Sequence, residues 1–222
     1  MVTDSPWDHQ VVLARETYFM KKKIKSSRLF IYQNQKKWFE LYKDFVVGGK
    51  ILVVGHGLGY TTEIVHTLNQ NVTSVDIGVE RDTIMKDKVI VYDGLTLPFE
   101  NNSFDAVVIT YVLHHAENMP RLFEEIVRVS KSKVIILEET YKNFFQKIDL
   151  IYYCWLFNRI AGQKVGIHWS SYLTSKRIME VSSKTDLKLE SHQEEPLRSY
   201  KTELFVFSKN QDHKKYIQIK RI

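Results

Sequence analysis

The residues whose types and spacing can do chemistry begin at Ile51-Leu-Val-Val-Gly55-His-Gly57-Leu-Gly59-Tyr-Thr-Thr62. An apolar run of strand length ends in glycines at 55, 57 and 59, and a helical pattern starts at once. Glycine lets the backbone turn at positive φ and lets a ligand approach without a Cβ in the way. The helix N-terminus behind such a turn offers free amide groups to a polar ligand. The spacing is not that of a dinucleotide site, which wants glycine three residues after the second one; that position holds Tyr60. Asp76 closes the run Val72-Thr-Ser-Val-Asp76, where a carboxylate can accept both hydroxyls of a ribose. Asp93 follows Val89-Ile-Val-Tyr92 and can accept from an adenine amino group, or instead close an Asx turn with Gly94. Ser103-Phe-Asp-Ala-Val-Val-Ile-Thr-Tyr-Val-Leu-His-His115 ends in two histidines. A neutral imidazole near pH 7 can take a proton from a hydroxyl nucleophile, so His114 and His115 are the candidate general bases; the plainer alternative is a pocket wall. His168 beside Trp169 is a second candidate, and Asp105 reads as a cap on its own strand.

These residues need a scaffold that brings them to one edge. Apolar runs at 50–55, 72–76, 88–92, 104–110 and 133–138 read as strands, and helical patterns fit 59–69 and 117–130, with a short helix at 79–86. Alternating strand and helix implies a parallel sheet with right-handed crossovers, and continuous Val/Ile runs suit strands covered on both faces. The glycine turn, Asp76, Asp93 and the histidines then all fall at C-terminal strand ends, where open α/β sheets bind ligands. Upstream, Ser5-Pro6 is a helix start and 6–45 reads as helical up to Gly48-Gly49. After residue 140 come an aromatic-rich stretch (141–162), a loop with Gly162 and Gly166, a helix at 174–184 and strands near 187–194 and 202–208.

Together, the segment 50–140 resembles the methyltransferase domain of class I S-adenosylmethionine-dependent enzymes, especially the small-molecule branch with quinone- and lipid-modifying members. The resemblance rests on the glycine turn, Asp76, Asp93 before Leu97-Pro98-Phe99, Phe104-Asp105, Leu113-His114-His115 and Arg128-Val129. It implies an α/β fold: a Rossmann-like, doubly wound, mostly parallel seven-stranded sheet with helices on both faces, plus N-terminal helices and a small helical lid after the fifth strand. The whole chain is then one domain, with a helical region at 1–48, a cofactor-binding core at 49–140, a lid or acceptor-site insertion at 141–172, a helix and strands at 173–210 and a basic tail at 211–222. The cofactor implied is S-adenosylmethionine, with S-adenosylhomocysteine as product. Its expected contacts are Gly55, His56, Gly57, Gly59, Asp76, Ile77, Asp93, Gly94, Leu95, Thr110 and Tyr111. Two departures stand out. Val53 occupies the place of an acid that organises the glycine turn in the family, and only sixteen residues separate Asp76 from Asp93, which predicts a clipped crossover.

The acceptor is less legible. The place of the Asn/Asp-Pro-Pro-aromatic sequence of base-amino methyltransferases reads Thr110-Tyr-Val-Leu113, which disfavours nucleobase N-methylation. Aromatic residues Phe144, Phe145, Tyr152, Tyr153, Trp155 and Phe157 suggest a lid or wall for an apolar or lipid-like small molecule, methylated on oxygen or carbon, although the same rings also suit packing on the sheet. The net charge of +6 is clustered in Lys21, Lys22, Lys23, Lys25 and Arg28 and in Lys214, Lys215, Lys220 and Arg221. A solvated helix face or tail is the first reading of such runs; RNA or protein methylation, or contact with anionic lipid, is the alternative. A cofactor-binding but inactive regulatory partner is the alternative that Val53 raises, and an oligomer stays open. The single Cys154 excludes an internal disulfide and a multi-cysteine zinc site, no cluster has metal-ligand spacing, and no metal is assigned. With no leader-like segment and no apolar run of about 20 residues, a cytoplasmic, non-transmembrane protein is expected.

Overall fold

A computed structural model of the chain describes residues 25–163, 166 and 168–209. The helix start at Ser5-Pro6, the cluster Lys21–Lys23 and the basic tail lie outside the described residues. Seven strands form one sheet: β1 Ile51–Val54, β2 Val72–Asp76, β3 Val89–Val91, β4 Phe104–Thr110, β5 Ser130–Thr140, β6 Leu187–Leu197 and β7 Tyr200–Lys209. Their order is β3-β2-β1-β4-β5-β7-β6, parallel from β3 to β5, with β7 antiparallel to both β5 and β6. The strands expected from the apolar runs are all present, and β5, β6 and β7 run further than expected.

Period-two alternation explains why the central strands are apolar throughout. On β1, Leu52 and Val54 join one core with α3 (Met119–Val129) and α5 (Ser175–Ser182). Ile51 and Val53 join the opposite core with Trp38, Phe39 and Tyr42 of the N-terminal helix (25–42, α1) and Ile64 and Val65 of α2 (Tyr60–Leu68). A residue buried on either face must be apolar, which gives the continuous run. Val53 is wholly buried there. Each later helix starts on a side chain that satisfies a free backbone amide. Asn118 accepts from Arg121 N at α3, Asn143 from Gln146 N at α4 (Phe144–Ala161), and Thr174 from Arg177 N at α5. Among the described residues, no helix is long and apolar enough to cross a membrane.

The short helix expected at 79–86 does not form. Apart from one 3-10 turn at Lys86–Lys88, the connection is irregular. Ile84 N donates to Leu58 O, and Ile84 O receives His56 Nε2, so the groups a helix would pair internally are spent on the glycine turn. Met85 at φ 56° ends any helical run.

Candidate functional site

A cavity of about 960 Å³ lies over the C-terminal ends of β1, β2, β4 and β5. One end is built almost wholly from the first three strand-ending loops. Gly59 takes φ 87° and starts α2 without a side-chain cap, and a Cβ there would lie 2.4 Å from Ile84 O. Gly55 (φ 81°) faces Val112, which a Cβ would overlap. These two glycines are therefore needed by the protein itself, so that the turn can close against its neighbours. Gly57 is different: a Cβ there would meet only the Gln163 amide, at 3.3 Å, so its backbone lies open to the cavity.

Asp76 holds this turn from the next strand. Its Oδ2 accepts Gly57 N–H at 2.7 Å and its Oδ1 accepts Ile77 N–H at 2.7 Å. The carboxylate thus braces the turn beside the buried Val53, at the place where the family's acid is missing. His56 does the rest of that work. Its ring is buried, with Nδ1 2.7 Å from Ser74 Oγ and 3.2 Å from Thr62 Oγ1, and Nε2 2.8 Å from Ile84 O. With both nitrogens engaged, the imidazole ties loops together and only the rest of the residue borders the cavity. Asp93 closes the turn that its plainer reading expected, accepting from Leu95 N and Thr96 N at 2.8 and 2.7 Å. Those amides hold its carboxyl below the usual carboxylate range. It still borders the cavity with Gly94, between the exposed side chains of Ile77 (71%) and Leu95 (44%). Thr110 is buried, its hydroxyl 2.9 Å from Thr61 Oγ1, while Tyr111 sits at φ 57° with its phenol accepting from Asn34 Nδ2. A left-handed tyrosine at a strand end is strained, and strain of this kind gathers at functional sites. Asp105 accepts Lys50 N–H at 2.8 Å and has the capping role expected of it.

This end fits a nucleoside-bearing ligand with a charged amino-acid tail. Its open backbone sits at an uncapped helix N-terminus, its two carboxylates are a strand apart, and two exposed aliphatic side chains flank the second carboxylate.

The other end is assembled from distant side chains. Phe30, Ile31, Asn34 and Gln35 of α1 form one wall, and Tyr153, Leu156, Phe157 and Ile160 of α4 another. Arg28 clamps the two helices, donating to Ala161 O and pairing with Asp82, so it serves the fold and is not a free cation. Tyr152 and Trp155, expected in the wall, do not line the cavity and are 52% and 44% exposed. The helical phase decides this: the neighbours Tyr153 and Cys154 take the inward positions. His114 and His115 do reach the cavity, joined by Cys154 of α4 and Glu139 of β5. Burial works against protonation of His114, but Glu138, whose Oε1 lies 2.5 Å from Nδ1, and Cys154 together outweigh it and lift the pKa well above the usual histidine value. Burial, helped by the neighbouring His114, pushes His115 down to about 3. Burial raises Glu139 to about 7 despite the opposing pull of His114. His168 also borders the cavity.

The sequence reading missed Cys154, Glu138 and Glu139. Cys154 stands 40 residues from His114 on another element, a separation no spacing rule detects. The two acids left a signal: adjacent carboxylates ending the apolar run Val134–Leu137 sit at the ligand-binding edge of the sheet.

Comparison with known proteins bears on the first end most directly. The methyltransferase-domain family matches residues 52–137, from β1 to the inner part of β5. That match covers under half of the chain and makes this segment similar to a methyltransferase domain. The chain is 34% identical over 91 residues to a demethylmenaquinone methyltransferase of Corynebacterium urealyticum, covering 40% of each chain. It is 28% identical over 119 residues to one of Renibacterium salmoninarum, covering 49% of this chain and 50% of that protein. The matches thus span half or less of those relatives. Among solved structures, the YcgJ protein of Bacillus subtilis aligns with TM-score 0.63 at 12% identity, over 81% of this chain and 99% of that one. Magnesium protoporphyrin IX methyltransferase of Synechocystis, with bound S-adenosylhomocysteine, aligns with TM-score 0.57 at 12% identity, over 86% and 88%. These likenesses establish the seven-stranded methyltransferase fold across the sheet, β6 and β7 included.

Proposed function

We propose that the chain transfers a methyl group from S-adenosylmethionine to an oxygen or carbon of a small, apolar or amphipathic acceptor. The observation that carries this reading is the single cavity joining the glycine turn to the α1/α4 chamber. Its volume of about 960 Å³ lies near the top of the usual range for small-molecule sites, roughly 300–1,000 Å³, which leaves room for a second molecule. Gly57 and the N-terminus of α2 would hold the amino-acid part of the cofactor, Asp76 the ribose, and Asp93, Ile77 and Leu95 the adenine. When bound, S-adenosylmethionine supplies an already activated methyl group for in-line displacement.

The chain's own residues then provide alignment, water exclusion and a place for a proton. Glu139 has the fitting proton affinity, with a pKa near 7 at the cavity wall, whereas His115 at about 3 is too weak a base at neutral pH. On this reading Glu139, in place of either expected histidine, would take the acceptor's proton. Phe30, Ile31, Leu156 and Phe157 would cover an apolar acceptor, and the quinone named for the relatives supports a ring or chain of that kind. Incubating the protein with cell extract and S-adenosylmethionine carrying a labelled methyl group tests this. A labelled product that partitions into organic solvent is expected. Label found only in RNA or protein would contradict the reading.

A further inference from the structure

Three ligating atoms converge in the acceptor end of the cavity: Nε2 of His114, Nε2 of His115 and Sγ of Cys154, all within 4.8 Å of one another. Each histidine has its other nitrogen occupied. His115 Nδ1 lies 2.8 Å from Gly166 O, and only an N–H can bond a carbonyl. His114 Nδ1 lies 2.5 Å from Glu138 Oε1, with both side chains buried. Both Nε2 atoms therefore face one sulfur, at 3.6 and 3.7 Å. A cation seated between the three atoms would take the place of the His114 Nε2 proton and be ligated by all three.

We infer that His114, His115 and Cys154 form a three-ligand site for zinc or a chemically similar d¹⁰ cation. The distances agree. With Zn–N about 2.05 Å and Zn–S about 2.3 Å, a tetrahedral site has N···S edges of about 3.6 Å. A donor set of two imidazoles and a thiolate suits zinc, and it is foreign to magnesium or calcium, which take oxygen. The surroundings are those of a built site. A carboxylate on one ligand imidazole and a carbonyl on the other are the partners that usually orient metal-bound histidines. Asn158 Nδ2 donates toward the sulfur at 3.4 Å. Glu138 Oε2 is buried without a hydrogen-bond partner. Thiolate, Glu138 carboxylate and a divalent cation sum to zero charge, which removes the cost of two buried anions.

Three protein ligands leave a fourth position, and all three residues border the acceptor end of the cavity. An open fourth position is the mark of a catalytic rather than a structural zinc. On the proposed methyl-transfer reading, it takes the acceptor's hydroxyl: the O–H bond breaks, the oxygen binds the cation, and the proton passes to the Glu139 carboxylate. A cation lowers the pKa of a bound hydroxyl and holds the nucleophile in place.

The test uses the full chain, stripped with a chelator and titrated with zinc against a metallochromic indicator. One equivalent per chain is expected to bind tightly, and cobalt in its place should give the intense visible bands of a tetrahedral site with a sulfur-to-metal charge-transfer band. Cys154→Ser should abolish that band, His115→Ala should lose stoichiometric binding, and Glu138→Gln should weaken zinc by about 10–100-fold. Melting curves and calorimetric S-adenosylmethionine affinity of each variant show whether it still folds. Zinc binding below one equivalent, or unchanged in folded Cys154→Ser and His115→Ala, overturns the site. Zinc bound without S-adenosylmethionine binding supports the site and removes the methyl-transfer reading. The converse result removes the site alone.

Discussion

The two ends of the cavity are built on different principles. The cofactor end is local: Gly55, Gly57 and Gly59 lie in one turn, and Asp76 and Asp93 each close a neighbouring strand. Much of its binding capacity is backbone, and its side chains mostly hold that backbone in place. The acceptor end draws on α1, β5, α4 and the loop after β4, and works through buried side chains with displaced proton affinities. Backbone geometry set by glycines and strand ends can serve one cofactor on many chains. A chamber of distant side chains carries what is particular to this one.

Breaking the acceptor end should cost most. Glu139→Gln is expected to lower kcat/KM by about 10²–10⁴-fold at pH 8, and to abolish the rise in rate through pH 7, with cofactor affinity unchanged. The same variant has a signature in stability. Native Glu139 keeps its proton from the ordinary glutamate value of 4.5 up to about 7, where the unfolded chain has lost it. Stability of the parent therefore falls as pH rises through that window and then levels. Glu139→Gln should melt above the parent at pH 8 and together with it at pH 4. A pH-independent difference in Tm would remove the buried-acid account.

Next comes Glu138→Ala, which leaves His114 buried without its carboxylate. Removing one partner of a buried pair costs about 3–5 kcal/mol, measurable by urea unfolding. At the cofactor end, Asp76→Ala should weaken S-adenosylmethionine by about 1.5–3 kcal/mol while zinc affinity stays the same. An equal loss of both would show that the two ends are not separable. The smallest contrast lies within α4. Tyr153→Ala, on the cavity, should raise the acceptor KM severalfold, and Trp155→Ala, facing out, should not.

The same division explains what was legible in the sequence. The strand runs, the glycine turn, Asp76 and Asp93 follow from periodicity and from residues at strand ends, and the structure has each where it was expected. The spacing of Asp76 and Asp93 predicts a clipped crossover, but the conformation of 77–88 depends on Ile84 pairing with Leu58 and His56, a tertiary contact without local pattern. On α4 the apolar residues run around the whole helix, so composition alone could not say that Tyr153 and Cys154 turn inward and Tyr152 and Trp155 outward. The pairing of Cys154 with His114 and His115 needs the fold before it can be seen.

The central claim is that the glycine-turn end is an S-adenosylmethionine site built on Gly57 and Asp76. Isothermal calorimetry with S-adenosylmethionine, S-adenosylhomocysteine and NAD tests it on one protein sample. The account predicts one site per chain for the first two ligands, weakened in Asp76→Ala, and no heat with NAD. Binding of NAD with no response to S-adenosylmethionine would contradict it.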